Sequence, residues 1–399
     1  MTATHPSAIS SLEYLEVILR RIQEETPGAV RARERSAFDD LARPLGERLV
    51  LFGAGPLGKS VLSGLRQAGV EPLAFADNKR DLWDQRVMGL PVLSAAKAAE
   101  QYGKTACFVV TIYQGSSVRR QLTSLGCQRV VACAPLLWKY ADVFIPQCCL
   151  ELPHRLVEHC DSIRQCYASL ADERSKTELR EQLLWRYWLD FSALSPPLDA
   201  SDTYFPMDLL SPVPDEVFVD CGSFDGESTQ SFNRHWAGQF RHVFALEPDA
   251  ASRGTLTANL GVMGIGDRAT VMPYAVGDSN GQVSFASSGS VTSHITTQDA
   301  GSKVECRRLD DIEWPLIPTY IKMDIEGAEP QALAGGTELL RRHLPVLAVC
   351  TYHRSEHLWQ IPNLIRSISP DYHLFLRRYA EECWEGVCYA VPSRRLKRA

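Results

Sequence analysis

Residues 10–40 place apolar side chains at helical spacing, as in L-E-Y-L-E-V-I-L-R-R-I, amid many charges, and this predicts helix. From Arg48 to about Tyr140 the pattern changes. The apolar runs R-L-V-L-F, P-L-A-F-A-D, C-F-V-V-T-I and R-V-V-A-C-A alternate with helical stretches such as K-S-V-L-S-G-L-R-Q-A-G. Four strands alternating with helices predict parallel pairing in an open α/β sheet. Residues 141–195 return to a helical pattern, for instance E-L-R-E-Q-L-L-W-R-Y-W-L-D-F, and five prolines between 196 and 214 mark a linker. A second α/β pattern starts at Val217. Its strands are V-F-V-D-C, H-V-F-A-L-E, A-T-V-M-P-Y-A-V, Y-I-K-M-D-I and V-L-A-V-C-T-Y, with the closing pair Y-H-L-F-L-R-R-Y and G-V-C-Y-A-V-P. Q-V-S-F-A and V-E-C-R-R-L, on either side of a Gly/Ser/Thr-rich loop, read as an inserted hairpin. The expected organisation is a helical segment at 1–47, a Rossmann-like domain at 48–140, a helical connector with a Pro-rich linker at 141–215, and a second α/β domain at 216–399.

Bulk properties narrow the classes. A chain of 399 residues exceeds one ordinary core, in agreement with two domains. The net charge of −6 argues against a large nucleic-acid footprint, and the terminal S-R-R-L-K-R-A reads as a solvated end. No apolar run reaches the about 18–20 residues of a membrane span, and M-T-A-T-H-P-S-A-I-S lacks the features of a secretory signal. The 12 cysteines include no C-x-x-C pair. Free thiols in a reducing, cytoplasmic setting are the expectation, with no resident metal called for by any ligand spacing.

Two apolar runs end in glycines. In V-F-V-D-C-G-S-F-D-G, Gly222 and Gly226 follow a strand, and Asp220 sits at that strand's end. Glu247, in A-L-E-P-D, ends the next strand, where a carboxylate can accept both hydroxyls of a ribose. The pattern is D-x-G-x-x-x-G and lacks the tight triplet that brings a pyrophosphate to a helix N-terminus. An acid directed at the ligand suits a sulfonium and an ammonium better than a phosphate, which favours S-adenosylmethionine over NAD. The alternative is a glycine turn kept only for packing.

These residues, together with Asn259, C-R-R-L-D-D-I, Y-I-K-M-D-I-E-G-A-E and V-C-Y-A-V-P, resemble the FkbM family of S-adenosylmethionine-dependent methyltransferases over about Val217 to Pro392. K-M-D-I-E-G-A-E is the most specific block. The resemblance implies a class I methyltransferase sheet with an antiparallel last strand, and O-methylation of sugar or natural-product hydroxyls. It implies that Asp220, Gly222 and Gly226 line the methionine moiety, with Ser223 in the same turn. Glu247 would hold the ribose, and Ala275 and Val276 would border the adenine. Cys221 and Ser223–Phe224 depart from the small apolar and Ala-Asn residues expected after the aspartate.

Methyl transfer to a hydroxyl needs the acceptor oxygen held in line and a base for its proton. The candidates at strand ends are Asp324, from K-M-D-I-E-G, and His353, from C-T-Y-H-R. Lys322 alternates with Asp324 along one strand face, and pairing between them would lower the Asp324 pKa. Glu326 and Glu329 are expected to cap the following helix. H-R-S-E-H at 353–357 matches a zinc-protease pattern but follows an apolar strand, so it is set aside; a divalent ion on Asp324 stays open. The acceptor, a small molecule or saccharide, would meet loops such as Ser287–Gln298. A homo-oligomer is compatible with the sequence.

The earlier turn, G-A-G-P-L-G, matches G-x-G-x-x-G at Gly53, Gly55 and Gly58, and Asp77 ends the next strand where a ribose acid would sit. It resembles the small Rossmann-like domains of sugar-modifying enzymes. A nucleotide or nucleotide-sugar module and a scaffold are both open. Two rivals to the methyltransferase reading remain: an NAD(P)-dependent oxidoreductase using this turn, and a non-catalytic nucleotide-binding protein.

Overall fold

The computed structural model describes residues 10–46, 48–286, 294–295 and 302–397. Most of the Ser287–Gln298 loop and the chain's two ends therefore lie outside the described residues. The chain forms two compact units, one from Met1–Cys160, Arg180–Pro196 and Ala380–Trp384, the other from Asp161–Leu179, Pro197–Tyr379 and Glu385–Ala399.

In the first unit, the helical reading of 10–40 resolves into two helices, Ser11–Glu24 and Pro27–Ala42. Ser10 and Glu13 close a reciprocal capping box on the first, while Thr26 caps the second with Pro27 in its first turn. The sheet is built from β1 (Leu49–Phe52), β2 (Ala74–Asp77), β3 (Arg86–Val87), β4 (Leu90–Ser94), β5 (Cys107–Val110) and β6 (Arg129–Ala132), in the order β3-β4-β2-β1-β5-β6. All neighbours are parallel except β3 with β4. The sheet has six strands where the pattern predicts four. The missed strand β4 contains Pro91, which removes a ladder donor and masks the run; it is tolerated because Pro91 faces only the two-residue strand β3. Loop 380–384 belongs to this unit: Glu381 accepts the Ser116 N–H (2.7 Å), Glu382 pairs with Arg119 (2.9 Å), and Trp384 packs on Tyr113 with centroids 4.6 Å apart.

The second unit holds β7 (Val217–Cys221), β8 (His242–Leu246), β9 (Ala269–Met272), β10 (Tyr274–Val276), β11 (Gly281–Ala286), β12 (His294–Ile295), β13 (Ser302–Arg307), β14 (Tyr320–Met323), β15 (Val346–Cys350), β16 (Tyr372–Arg378) and β17 (Gly386–Pro392). Seven of them make one sheet in the order β16-β17-β15-β14-β7-β8-β9. β17 runs antiparallel to both neighbours, as the class I methyltransferase sheet requires. The run A-T-V-M-P-Y-A-V, expected as one strand, is split. Pro273 cannot donate to a ladder, so β9 stays in the large sheet and β10 joins a small sheet ordered β10-β13-β11-β12. The inserted hairpin appears there as β11 against β13. The order in which strands are added switches sides between the parallel neighbours β7 and β14, the place where an open sheet forms a crevice at the strands' carboxyl ends.

An aromatic cluster fixes the geometry under that crevice. Phe218 stacks on Phe232 with centroids 4.4 Å apart, and Phe205 meets Phe218 edge-on at 5.6 Å. Such pairs add about 0.5–1.5 kcal/mol each beyond their burial. Anchoring Phe205 sets the position of its neighbour Tyr204. On the far edge, Arg377 of β16 pairs with Asp172 (2.7 Å) and Asp208 (3.1 Å), and the Ser175 hydroxyl accepts the Leu376 N–H (2.9 Å).

Candidate active site

The turn after β7 is shaped by its neighbours. Gly222 has φ +80°, and a Cβ there would stand 2.1 Å from the Asp324 carbonyl oxygen. Glycine is thus required by the close approach of the loop after β14. Phe224 and Gly226 also take left-handed φ values, +49° and +93°. Glu247, at the exit of β8, accepts the Phe224 N–H on Oε2 (2.9 Å) and the Asp249 N–H on Oε1 (2.8 Å). An ionised carboxylate offers about four acceptor positions, so roughly two remain for a ligand's hydroxyls. Burial raises the Glu247 pKa, against the pull of the two N–H groups. The Ser223 hydroxyl donates to the Asp220 carbonyl (2.8 Å), and Asn259 donates to the Asp225 carbonyl (2.8 Å). Ala275 and Val276 are buried in β10.

Asp220 has no exposed surface. Its Oδ2 accepts from Ser228 (2.6 Å) and Thr229 (2.8 Å), and its Oδ1 lies 3.0 Å from the Lys322 ammonium. Lys322 also donates to the Gly222 carbonyl (2.7 Å). Lys322 alternates with Asp324 along the strand, which left pairing between them open, but its ion pair is with Asp220. The register explains this: Lys322 and Asp220 are direct partners across β14 and β7. Adjacent strands lie about 4.8 Å apart, closer than two positions along one strand at about 3.3 Å per residue. Burial alone would lower the Lys322 pKa; Asp220 first, then Asp324, raise it well above the ordinary value.

Asp324 follows β14. Its Oδ2 accepts from the Tyr204 hydroxyl (2.6 Å), and its Oδ1 accepts from the Tyr352 hydroxyl (3.3 Å) and lies 3.2 Å from His353 Nε2. On the other side of the ring, His353 Nδ1 lies 2.8 Å from Oε1 of Glu329, whose Oε2 is 3.4 Å from His357 Nδ1. Side-chain exposure falls from 21% at Asp324 to 3% at His353 and 0% at Glu329. Burial would raise the Asp324 pKa, but His353, Lys322 and Tyr204 together hold it well below the carboxylate range. Burial would likewise lower the His353 pKa, and Glu329 and Asp324 raise it well above the ordinary value. His353 precedes the helix His357–Ile368, so the two histidines of H-R-S-E-H do not share a helix.

Several residues here carry no sequence signal. Tyr204 comes from the Pro-rich linker, and Tyr352 flanks His353. Glu329 was read as a helix cap; it does accept the Ile325 N–H (3.0 Å), but it also backs His353. Glu385 stands just before β17 with φ +53°, and burial first, then Asp324, push its pKa from 4.5 up to about 7. An acid whose folded pKa is raised contributes stability below its unfolded value that is lost as pH climbs through the folded one. Glu385→Gln should therefore match wild type near pH 4.5 and exceed it above pH 7. Partial exposure limits the gain to about 1–2 kcal/mol. Chemical denaturation at both pH values measures it, and equal stability at pH 8 would refute it.

In the first unit, Asp77 accepts the Ala54 N–H (2.8 Å) and the Lys79 N–H (2.8 Å). A Cβ on Gly53 would lie 2.6 Å from Ile112, and one on Gly58 would lie 1.8 Å from the Gly53 carbonyl oxygen; around Gly55 the space is open. Gly53 is thus fixed by the close approach of Thr111 and Ile112 after β5, and Gly58 by the packing of the helix Pro56–Gln67 against the turn.

Among known proteins, residues 220–383 match the family model for the methyltransferase FkbM domain. A curated relative, 2-O-methyltransferase NoeI of Sinorhizobium fredii (strain NBRC 101917 / NGR234), is 31% identical over 155 residues, which cover 32% of this chain and 60% of the relative. The match thus spans three-fifths of that relative's length. The crystal structure of methyltransferase FkbM from Methylobacillus flagellatus KT superposes with a TM-score of 0.70 at 23% identity, covering 95% of this chain and 98% of that one, and so shares its fold. The glycine turn, Glu247, Asp324 and His353 all fall inside residues 220–383, the span that matches the methyltransferase FkbM domain.

Proposed function

We propose that this domain transfers a methyl group from S-adenosylmethionine to a hydroxyl of a saccharide or glycosylated small molecule. The observation that carries the reading is Glu247, buried at the exit of β8 beside the glycine turn and keeping acceptor capacity after its two backbone bonds. That is the position and chemistry for a ribose diol. The relative named a 2-O-methyltransferase supports an oxygen acceptor. Asp220, being neutralised by Lys322, acts through the turn it organises, where Gly222, Ser223 and Gly226 border the methionine moiety; Ala275 and Val276 border the adenine.

In the reaction the acceptor oxygen attacks the methyl carbon as the carbon–sulfur bond breaks, releasing S-adenosylhomocysteine, while the hydroxyl proton leaves to a base. Of the three aligned groups, Asp324 has the most exposed side chain. Asp324 is therefore the group that meets the acceptor, and His353 and Glu329 hold it in place. Calorimetric titration with S-adenosylhomocysteine tests the cofactor assignment. Wild type should bind, and Glu247→Ala should bind at least about tenfold more weakly, the loss of a charged hydrogen-bond acceptor being worth about 1.5–3 kcal/mol. Equal affinities would remove the ribose role, and no heat with wild type would remove the cofactor.

A further inference from the structure

The row Asp324, His353 and Glu329 has a feature that an acid–base relay does not explain. The three residues bring one ligand atom each to within 4.8 Å of one another. Glu329 Oε2 and both ring nitrogens of His353 are buried and make no hydrogen bond of acceptable geometry, although His353 Nδ1 is only 2.8 Å from Glu329 Oε1 and Nε2 only 3.2 Å from Asp324 Oδ1. His357 Nδ1, also buried beside Glu329, is unpaired in the same way. Buried polar atoms that crowd together without bonding one another mark a place where a further partner belongs.

We propose that Asp324, Glu329 and His353 bind one divalent cation. Two carboxylate oxygens and an imidazole nitrogen, without a thiolate, form a donor set for Mn²⁺ or Mg²⁺ rather than for a soft metal. Two positive charges offset the two carboxylates, and the nearest ammonium, Lys322, is already committed to Asp220. Asp324 is the partly exposed ligand, so the ion's remaining positions face the crevice. The role assigned to the ion rests on the methyltransferase reading: it takes the acceptor's hydroxyl oxygen as a ligand and makes its proton easier to lose to water in the crevice as the methyl group leaves sulfur. The ion site itself stands without that reading. Asp324 and Glu329 lie in the block K-M-D-I-E-G-A-E after β14, and His353 joins them from the loop after β15.

The test uses the full chain, treated with chelator and dialysed, then titrated with MnCl₂ in the absence of any methyl donor or acceptor. The six-line paramagnetic resonance signal of free Mn²⁺ reports binding. Wild type should remove about one equivalent from solution, and Asp324→Asn should weaken this about tenfold or more. Circular dichroism checks each variant's fold; if Asp324→Asn is unfolded, His353→Gln replaces it under the same criterion. Equal Mn²⁺ binding by wild type and a folded variant would overturn the site, as would no binding by wild type. S-adenosylhomocysteine titration of the metal-free protein is read separately, so failure of the cofactor assignment and failure of the ion site are distinguishable.

Discussion

Lys322→Met is expected to lower the melting temperature by about 6–20 °C. Asp220 is fully buried, and its charge is balanced by the ammonium 3.0 Å away. Ser228 and Thr229 would still donate to Oδ2, but no cation would remain beside Oδ1. Removing one partner of a buried ion pair costs about 3–5 kcal/mol, because the other charge stays in a medium that solvates it poorly. For a body of this size each kcal/mol shifts the midpoint by about 2–4 °C. The double variant Asp220→Asn/Lys322→Met should recover part of the loss, since the stranded charge is gone. Differential scanning calorimetry decides it: a single-variant midpoint within about 2 °C of wild type would mean that water reaches the pair.

Asp324→Asn should reduce methyl transfer by at least about 10²-fold, because it removes the carboxylate that meets the acceptor hydroxyl as its proton is lost. The substitution keeps the shape and the carbonyl that Tyr204 can donate to, but removes the charge between Tyr204, Tyr352 and His353. The measurement is incorporation of labelled methyl from S-adenosylmethionine into a saccharide mixture, compared at equal enzyme and saturating donor. Loss confined to the Michaelis constant, with turnover intact, would demote Asp324 to a binding role.

How much of this was readable beforehand depends on the kind of contact. The sheet of the second unit was legible because its strands are short, mainly apolar runs, and the glycines after β7 announce a tight turn. The place of Glu247 at the exit of β8 was legible because H-V-F-A-L-E is an apolar run that ends on the acid. What failed were contacts set by register between strands. Asp220 and Lys322 are partners only because β7 and β14 are neighbours with a particular stagger, which no local pattern encodes. Tyr204 was invisible for a related reason: it lies in a proline-rich stretch without periodicity, and its place is fixed by the aromatic packing of Phe205. Proline misled twice, hiding β4 and joining β9 to β10, since one residue changes hydrogen bonding without altering the apolar pattern around it.

The loop carrying Glu381, Glu382 and Trp384 gives synthesis an unusual order. Those side chains complete the first unit, yet the ribosome adds them only after residues 197–379 of the second. A nascent chain commonly finishes its first domain before starting the next. Here the first unit must wait, one wedge short, until residues 197–379 of the second have been made.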